Sequence, residues 1–594
     1  MAPRGAPHWR FAAGLRCALG LLPSLGVALE VSLDDASVLL ASRARTVSRA
    51  VVETPRGPTV ETPDGPIVGT SEEGFHLFRG IPYAAPPERF SAPSPRRPWG
   101  PAALNATQYA PGCIGSATAE EAGESEDCLN LNAWVPKGGR SNMPVIVYFH
   151  GGMNQHGCGH DALRQGDLIT QFASHPTIFV GFDFRLGIFG WIATEDKADV
   201  TSNLGLLDQQ MLLRWVQRNI AAFGGDPHRV ALMGQSEGAT IILAHLVSPG
   251  SAGLFHRALL HSPPADVWHR STSRDRTAYM ARKLRCKGKG TELLACLRAL
   301  SAKKLWDADW VSEALASAGK GFLGTAGKMA DFQQSMGYSV NQVMAAQGWH
   351  PEVDGVVLPG EPRELIAQGR WSKVPVLVTT AKNESSGVLP ELSVKLAMDA
   401  LLGTSLRPLL AEGQLGKVRE RYAATLKQSG IQGANSVSIG RQMLTDKMWM
   451  CDIRSMVKDM ARSGGEVRLG VFWHSPKYDP IGRKSSQSCV EGAACHASDM
   501  MYLLPQGRNK GFRKGQDKEV EFSNRYSQEV LAFVHGERCP WVPFDLETEQ
   551  ITLYDTDGPR VVPGYRREQC EVLDASSGEL LPGFMKQRGS EQTK

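Results

Sequence analysis

Residues Arg229 to Leu246 read RVALMGQSEGATIILAHL, and the reading of this stretch decides the fold. Arg229 to Met233 is a short apolar run suited to a buried strand. Gly234-Gln235-Ser236-Glu237-Gly238 is a sharp turn bounded by glycines, and Glu237 to Leu246 has helical character. Strand, tight turn and helix in that order form a nucleophile elbow. The glycines matter because a strained turn brings strand and helix close together, where a Cβ would intrude. Ser236 then projects above the sheet. The N–H groups and positive dipole end of the following helix face the point where negative charge would develop. The pentad alone is a weak signal in a chain with 62 glycines, and the flanking strand and helix make it informative.

Upstream, Pro144 to Phe149 (PVIVYF) has strand length and ends in His150-Gly151-Gly152-Met153. A glycine pair at a strand's C-terminal end lets backbone N–H groups face a ligand and act as oxyanion donors. Pro176 to Phe184, Arg257 to Leu260, Val374 to Thr379 and Val467 to Trp473 read as further strands. Leu204 to Phe223 places Leu207, Met211, Trp215 and Ile220 at helical spacing, and Gly224-Gly225-Asp226-Pro227 stops it. Strands alternating with helices imply an α/β fold with a large, mostly parallel central sheet and helices on both faces. The echo VETPRGP and VETPDGP, at 52–58 and 60–66, is confined by its prolines to turns and edge strands. Phe78 to Pro87 (FRGIPYAAPP) reads as a proline-rich loop.

With 594 residues the chain is long, yet α/β proteins of this kind run as one large unit with insertions. We expect that unit over 60–575, a poorly defined segment over 30–59 and a polar tail over 576–594. The net charge of +4 is spread over both signs, so nothing compels a nucleic-acid partner. The basic cluster Arg508 to Lys518 reads as a solvated loop. Residues 1–29 combine Arg4, Arg10 and Arg16 with an apolar stretch from Cys17 to Leu29, which fits a signal peptide. Secretory entry is therefore expected, with organelle targeting as the weaker alternative. No later stretch approaches membrane length, so no stable membrane span is expected. Asn105-Ala106-Thr107 is then an acceptor for N-glycosylation. Eleven cysteines suit an oxidising compartment, although spacing alone does not give connectivity. Neither CxxC nor HExxH occurs, so neither a zinc ribbon nor a zincin is indicated.

FRGIPYAAPP, EDCLNLN (126–132), YFHGGM, the run NLGLLDQQMLLRWVQRNIAAFGGDPHRVALMGQSEGA and SPGSAGLFHRALLHS stand in that order. In these motifs the chain resembles the type-B carboxylesterase/cholinesterase-like family of α/β-hydrolases, from about Val60 to Cys570. The resemblance implies a Ser, Glu, His triad: Ser236 as nucleophile, Glu384 in Lys382-Asn383-Glu384-Ser385 as acid, and His496 as base. The family's histidine precedes a glycine, where this chain has Ala497, and His474 at a strand end is the rival base. The resemblance further implies an oxyanion hole from the N–H groups of Gly151, Gly152 and Glu237, and disulfides joining Cys113 with Cys128, Cys286 with Cys296 and Cys451 with Cys570. Cys489 and Cys495 are candidates for one more, and Cys158 and Cys539 stay unassigned. The implied activity is hydrolysis of small to medium, largely neutral carboxylic esters, with a small-molecule ester as the partner. That mechanism needs no cofactor and no metal. Oligomeric state is open.

Four departures qualify the resemblance. Glu237 stands where the family has a small residue, and its carboxylate would oppose an oxyanion unless it turns away. Pro263-Pro264 replace a Gly-Ser, removing a hydroxyl expected to support the acid. The Cys113 to Cys128 loop carries no Trp for cation–π binding of a quaternary ammonium, which argues against a cholinesterase. Its Glu120, Glu121, Glu124, Glu126 and Asp127 read as a solvated acidic loop rather than a cation attractor. Met153 replaces an aromatic residue, implying an adaptable acyl pocket. A catalytically silent cholinesterase-like binding protein is the alternative from another class.

Overall fold

The computed structural model describes residues 51–116, 122–138, 141–161, 165–194, 201–264, 272–309, 348–388, 415–428, 436–476, 494–504 and 517–575. The expected targeting segment, Glu120, Glu121, Cys489, most of the 508–518 basic cluster and the C-terminal tail lie outside them. In chain order the strands are β1 (Val52–Thr54), β2 (Gly57–Thr62), β3 (Gly65–Val68), β4 (Thr70–Ser71), β5 (Phe75–Pro82), β6 (Leu104–Asn105), β7 (Gly112–Cys113) and β8 (Glu124–Ser125). They continue as β9 (Asn130–Pro136), β10 (Met143–Phe149), β11 (Ile178–Phe182), β12 (Gly225–Gln235), β13 (Arg257–His261), β14 (Val376–Ala381), β15 (Val467–Phe472), β16 (Gln550–Asp555) and β17 (Gly558–Pro563).

Eleven of these form one sheet, in the order β17-β16-β15-β14-β13-β12-β10-β11-β9-β5-β4. The run from β16 to β11 is parallel throughout, and both margins are antiparallel. Alternation along the central strands explains why. On β10, Val145, Val147 and Phe149 enter one apolar cluster and Ile146 and Tyr148 the other. On β12, Val230 and Leu232 divide in the same way from Ala231 and Met233. Strands that are apolar on both faces need cover on both, and the loops between parallel strands supply it as helices. Leu204–Asn219, Glu237–Val247 and Cys451–Arg462 contribute to the first cluster, and Asp517–His535 to the second. Each fully buried Leu, Ile or Val contributes roughly 1.5–3 kcal/mol.

The proline-marked echo forms β1, β2 and β3 of a separate small antiparallel hairpin system, joined by β6. One expectation is corrected. FRGIPYAAPP is not a loop throughout, because Phe78 to Pro82 is the second half of β5 within the main sheet. Its one proline, Pro82, is the last residue of the strand, beyond a register shift in the pairing with β9 between Phe78 and Ile81, where Gly80 takes φ +66°. Among the described residues no helix is long and apolar enough to cross a membrane.

Candidate active site

The candidate residues converge above the C-terminal ends of the parallel strands, where α/β sheets place their ligands. β12 ends at Gln235, and Ser236 takes φ +57° and ψ −127° before the helix Glu237–Val247 begins. A serine in that conformation is strained, and neighbouring bonds hold it there. Its N–H donates to His261 O on β13 (2.9 Å), and its own carbonyl accepts from Ala239 N (2.9 Å) and Thr240 N (3.1 Å). A Cβ on Gly234 would lie 2.6 Å from the Gly238 carbonyl carbon, and one on Gly238 would fall on the Phe149 carbonyl. The elbow closes only because both positions lack side chains.

The glycine loop after β10 reaches the same point. A Cβ on Gly151 would lie 2.7 Å from Gln235 O and 3.1 Å from Ser236 Cβ, so its backbone packs directly beside the serine. Gly152 takes φ +113°, and its carbonyl closes a turn by accepting from Gln155 N and His156 N.

Glu384 follows β14 and is fully buried. His496 Nδ1 lies 2.6 Å from Glu384 Oε2, while Glu384 Oε1 accepts from Thr380 Oγ1 (2.8 Å) and Ala381 N (2.6 Å). The hydroxyl that Pro263-Pro264 removes therefore has a counterpart in Thr380, supplied from the acid's own strand. Asn383 N donates to Ala494 O (2.9 Å), stitching the acid's loop to the histidine's. Ala497 adopts the left-handed conformation, φ +68°, ahead of the short helix Ser498–Leu503. Beside this site, Lys382 Nζ sits 4.0 Å from the Trp473 ring centre, and burial, followed by Arg566, lowers its pKa.

His496 Nε2 is 3.0 Å from Gln235 Nε2, so the ring nitrogen accepts the Gln235 amide hydrogen. The structure thus brings His496 to Glu384 and to the residue before Ser236, without a hydrogen bond between His496 and Ser236 themselves. Trp449 packs against the imidazole at 5.5 Å between centroids. The rival His474 is held elsewhere, between Glu519 Oε2 (2.8 Å) and Asp555 Oδ1 (3.5 Å), among Tyr502 and Phe522.

The Glu237 carboxylate has partners of its own. It is buried, with Oε1 accepting from Asn154 Nδ2 (2.8 Å) and facing His350 Nδ1 (3.2 Å). Farther along the same helix, burial drives the His245 pKa down to about 3, and both ring nitrogens are bonded in the neutral form. Nε2 donates to Gln209 Oε1 (2.9 Å), and Nδ1 accepts from Ser251 Oγ (2.8 Å).

The Carboxylesterase family profile matches residues 56–573. The chain belongs to the carboxylesterase family. It is 33% identical over 526 residues to the para-nitrobenzyl esterase of Bacillus subtilis (strain 168), covering 85% of this chain and 92% of the relative. It is 31% identical over 329 residues to the acetylcholinesterase of Bungarus fasciatus, covering 52% and 50% of the two chains. Among solved structures, a PNB esterase superposes with a TM-score of 0.68 at 26% identity, covering 87% of this chain and 99% of its own. Family and relatives together support ester hydrolysis by a serine esterase in general terms.

In this member of the family the disulfides Cys113–Cys128, Cys286–Cys296 and Cys451–Cys570 are all present. Cys495 is also disulfide-bonded, whereas Cys158 and Cys539 are not. A shallow cavity borders the first disulfide, lined by Arg89, Ile114, Glu126 and Phe189 among others, and none of the candidate catalytic residues line it. Glu126 pairs there with Arg89, so this part of the acidic loop is neutralised. Sequence reasoning missed Gln235, Thr380, Asn154, His350 and Trp449. Gln235 was visible inside the GxSxG pentad and Thr380 at a strand end. Asn154 directly follows the glycine loop, whereas His350 and Trp449 come from distant segments and carried no signal.

Proposed function

We propose that this chain hydrolyses small to medium, largely neutral esters through an acyl-enzyme on Ser236, with Glu384 and His496 as its partners. The observation that carries the reading is the 2.6 Å contact between His496 Nδ1 and Glu384 Oε2, with His496 Nε2 directed at the elbow. With Nδ1–H donated to Glu384, Nε2 is the basic nitrogen. It takes the Ser236 proton as Oγ attacks the ester carbonyl, then delivers it to the departing alcohol. Glu384 holds the tautomer and stabilises the imidazolium. The N–H groups of Gly151, Gly152 and Glu237 receive the oxyanion, each such donor contributing on the order of 3 kcal/mol in the transition state. Water then repeats the cycle on the acyl-enzyme and releases the acid.

The catalytically silent binding protein is retained as a second reading because the Gln235 amide occupies Nε2. One experiment separates the two. Stoichiometric fluorophosphonate labelling of Ser236, with aryl-ester turnover that Ser236→Ala abolishes without unfolding the protein, supports the esterase. A folded wild-type chain that neither labels nor turns over supports the binding protein. We also propose entry into the secretory pathway with a glycan on Asn105, which is exposed on β6. A mobility shift on deglycosylation, lost in Asn105→Gln, is the expected result.

A further inference from the structure

Beyond the glycine loop, the segment Gly157-Cys158-Gly159-His160 folds back onto the C-terminal end of β11, where Asp183 follows Phe182. Cys158, His160 and Asp183 are all buried, and one donor atom from each lies within 4.8 Å of the others. His160 Nδ1 is 3.9 Å from Asp183 Oδ2. The Gly159 N–H donates to Asp183 Oδ1 (3.1 Å), while Asp183 Oδ2 has no hydrogen-bond partner among the described residues. Gly159 is needed for this approach, since a Cβ there would fall on the Phe182 backbone. The imidazole is oriented by stacking on Tyr109 at 4.8 Å, with the Arg79 guanidinium over the same phenol ring.

A carboxylate that is 1% exposed and has one unsatisfied oxygen is costly to bury. Thiolate, imidazole and carboxylate together are the donor types zinc selects, and the Gly159 N–H on Asp183 Oδ1 is the kind of hydrogen bond that orients a ligating carboxylate. Zinc bonds of about 2.0–2.3 Å imply ligand separations near 3.3–3.7 Å. Small side-chain rotations therefore close these three atoms on an ion. We propose that Cys158, His160 and Asp183 form a zinc(II) site that fastens the segment after the glycine loop to the end of β11. Binding exchanges the Cys158 thiol proton for a sulfur–zinc bond, and the carboxylate supplies the second negative charge. The ion has a holding role. Gly157, next to the first ligand, packs against the His150 ring at the base of the glycine loop.

The test uses the untagged full chain, equilibrated with zinc chloride and freed of loose metal by gel filtration. Elemental analysis is expected to find about one zinc per chain, with Cys158→Ser and Asp183→Asn binding it more than ~10-fold more weakly. Wild-type protein carrying only background zinc overturns the proposal. So does equal retention by both variants. Because a change in a buried cluster can prevent folding, the wild-type chain is also titrated with cobalt(II). A saturable thiolate-to-cobalt charge-transfer band is expected, and its absence overturns the proposal without reference to any variant.

Discussion

Gln235 donates to the nitrogen that the proposed base must keep open for Ser236. A neutral hydrogen bond of this kind is worth about 1 kcal/mol net. Removing it with Gln235→Leu should raise kcat/KM by about 3–10-fold. A tenfold loss instead would mean that the amide orients His496, so steady-state kinetics separates the two roles. Ala497 tells a different story. Its φ of +68° lies where only glycine is unstrained, which accounts physically for the glycine at this place in the family's pattern. Ala497→Gly is expected to raise stability by ~0.5–1 kcal/mol, after allowing for the greater freedom of glycine in the unfolded chain. An unchanged or lower denaturation midpoint would contradict this. Ser236, Glu384 and His496 could be named from motifs, whereas what surrounds them could not. Thr380 supports the acid because β14 continues to Ala381, and Trp449 meets His496 from a segment 47 positions upstream that carries no motif.

At the scale of elements, the helix Glu237–Val247 is apolar almost all round because it is covered on every side. His245 within it is therefore neutral. Its folded pKa of about 3 lies below the ordinary histidine value, so the unfolded chain binds this proton first as pH falls. The histidine's contribution to stability is complete above pH 6.5 and is lost progressively towards pH 3. Acidification from about pH 7.5 to 4.5 should cost the wild type more stability than His245→Gln, and equal losses in urea denaturation would refute the assignment. In the main sheet β4, β9, β16 and β17 were not singled out, whereas β10 to β15 were legible as apolar runs that begin or end within a few residues of the observed limits. β5 was not, because composition argued for a loop and only pairing with β9, through a register shift, makes its proline-bearing end a strand.

Across the whole molecule, the Cys451–Cys570 disulfide spans a sequence separation of 119 and ties the helix Cys451–Arg462 to Arg567–Ala575. Closing so long a loop restricts the unfolded chain strongly, so replacing both cysteines by serine should cost about 2–5 kcal/mol. Equilibrium unfolding under non-reducing conditions measures this, and a change below ~1 kcal/mol would show that the unfolded chain is already compact. The short Cys113–Cys128 link has a local role instead, shaping one side of the cavity near Arg89. The parallel core and its antiparallel margins extend the same logic. Long-range connections bring the ends of β12, β14 and the segment after β15 together, although 112 positions separate Glu384 from His496.

The amino-acid sequence by itself determined the elbow, the glycine loop, the two-faced apolar strands and hence the α/β architecture. These follow from local periodicity and from backbone conformations that only certain residues adopt. Tertiary structure alone decided which atoms meet: the Gln235 amide at His496, Thr380 beneath Glu384, Glu237 turned towards Asn154 and His350, and Cys158 and His160 gathered around Asp183. The physical reason is that strand and turn preferences act over a few residues, whereas hydrogen bonds and metal ligands depend on distances set by how remote segments pack.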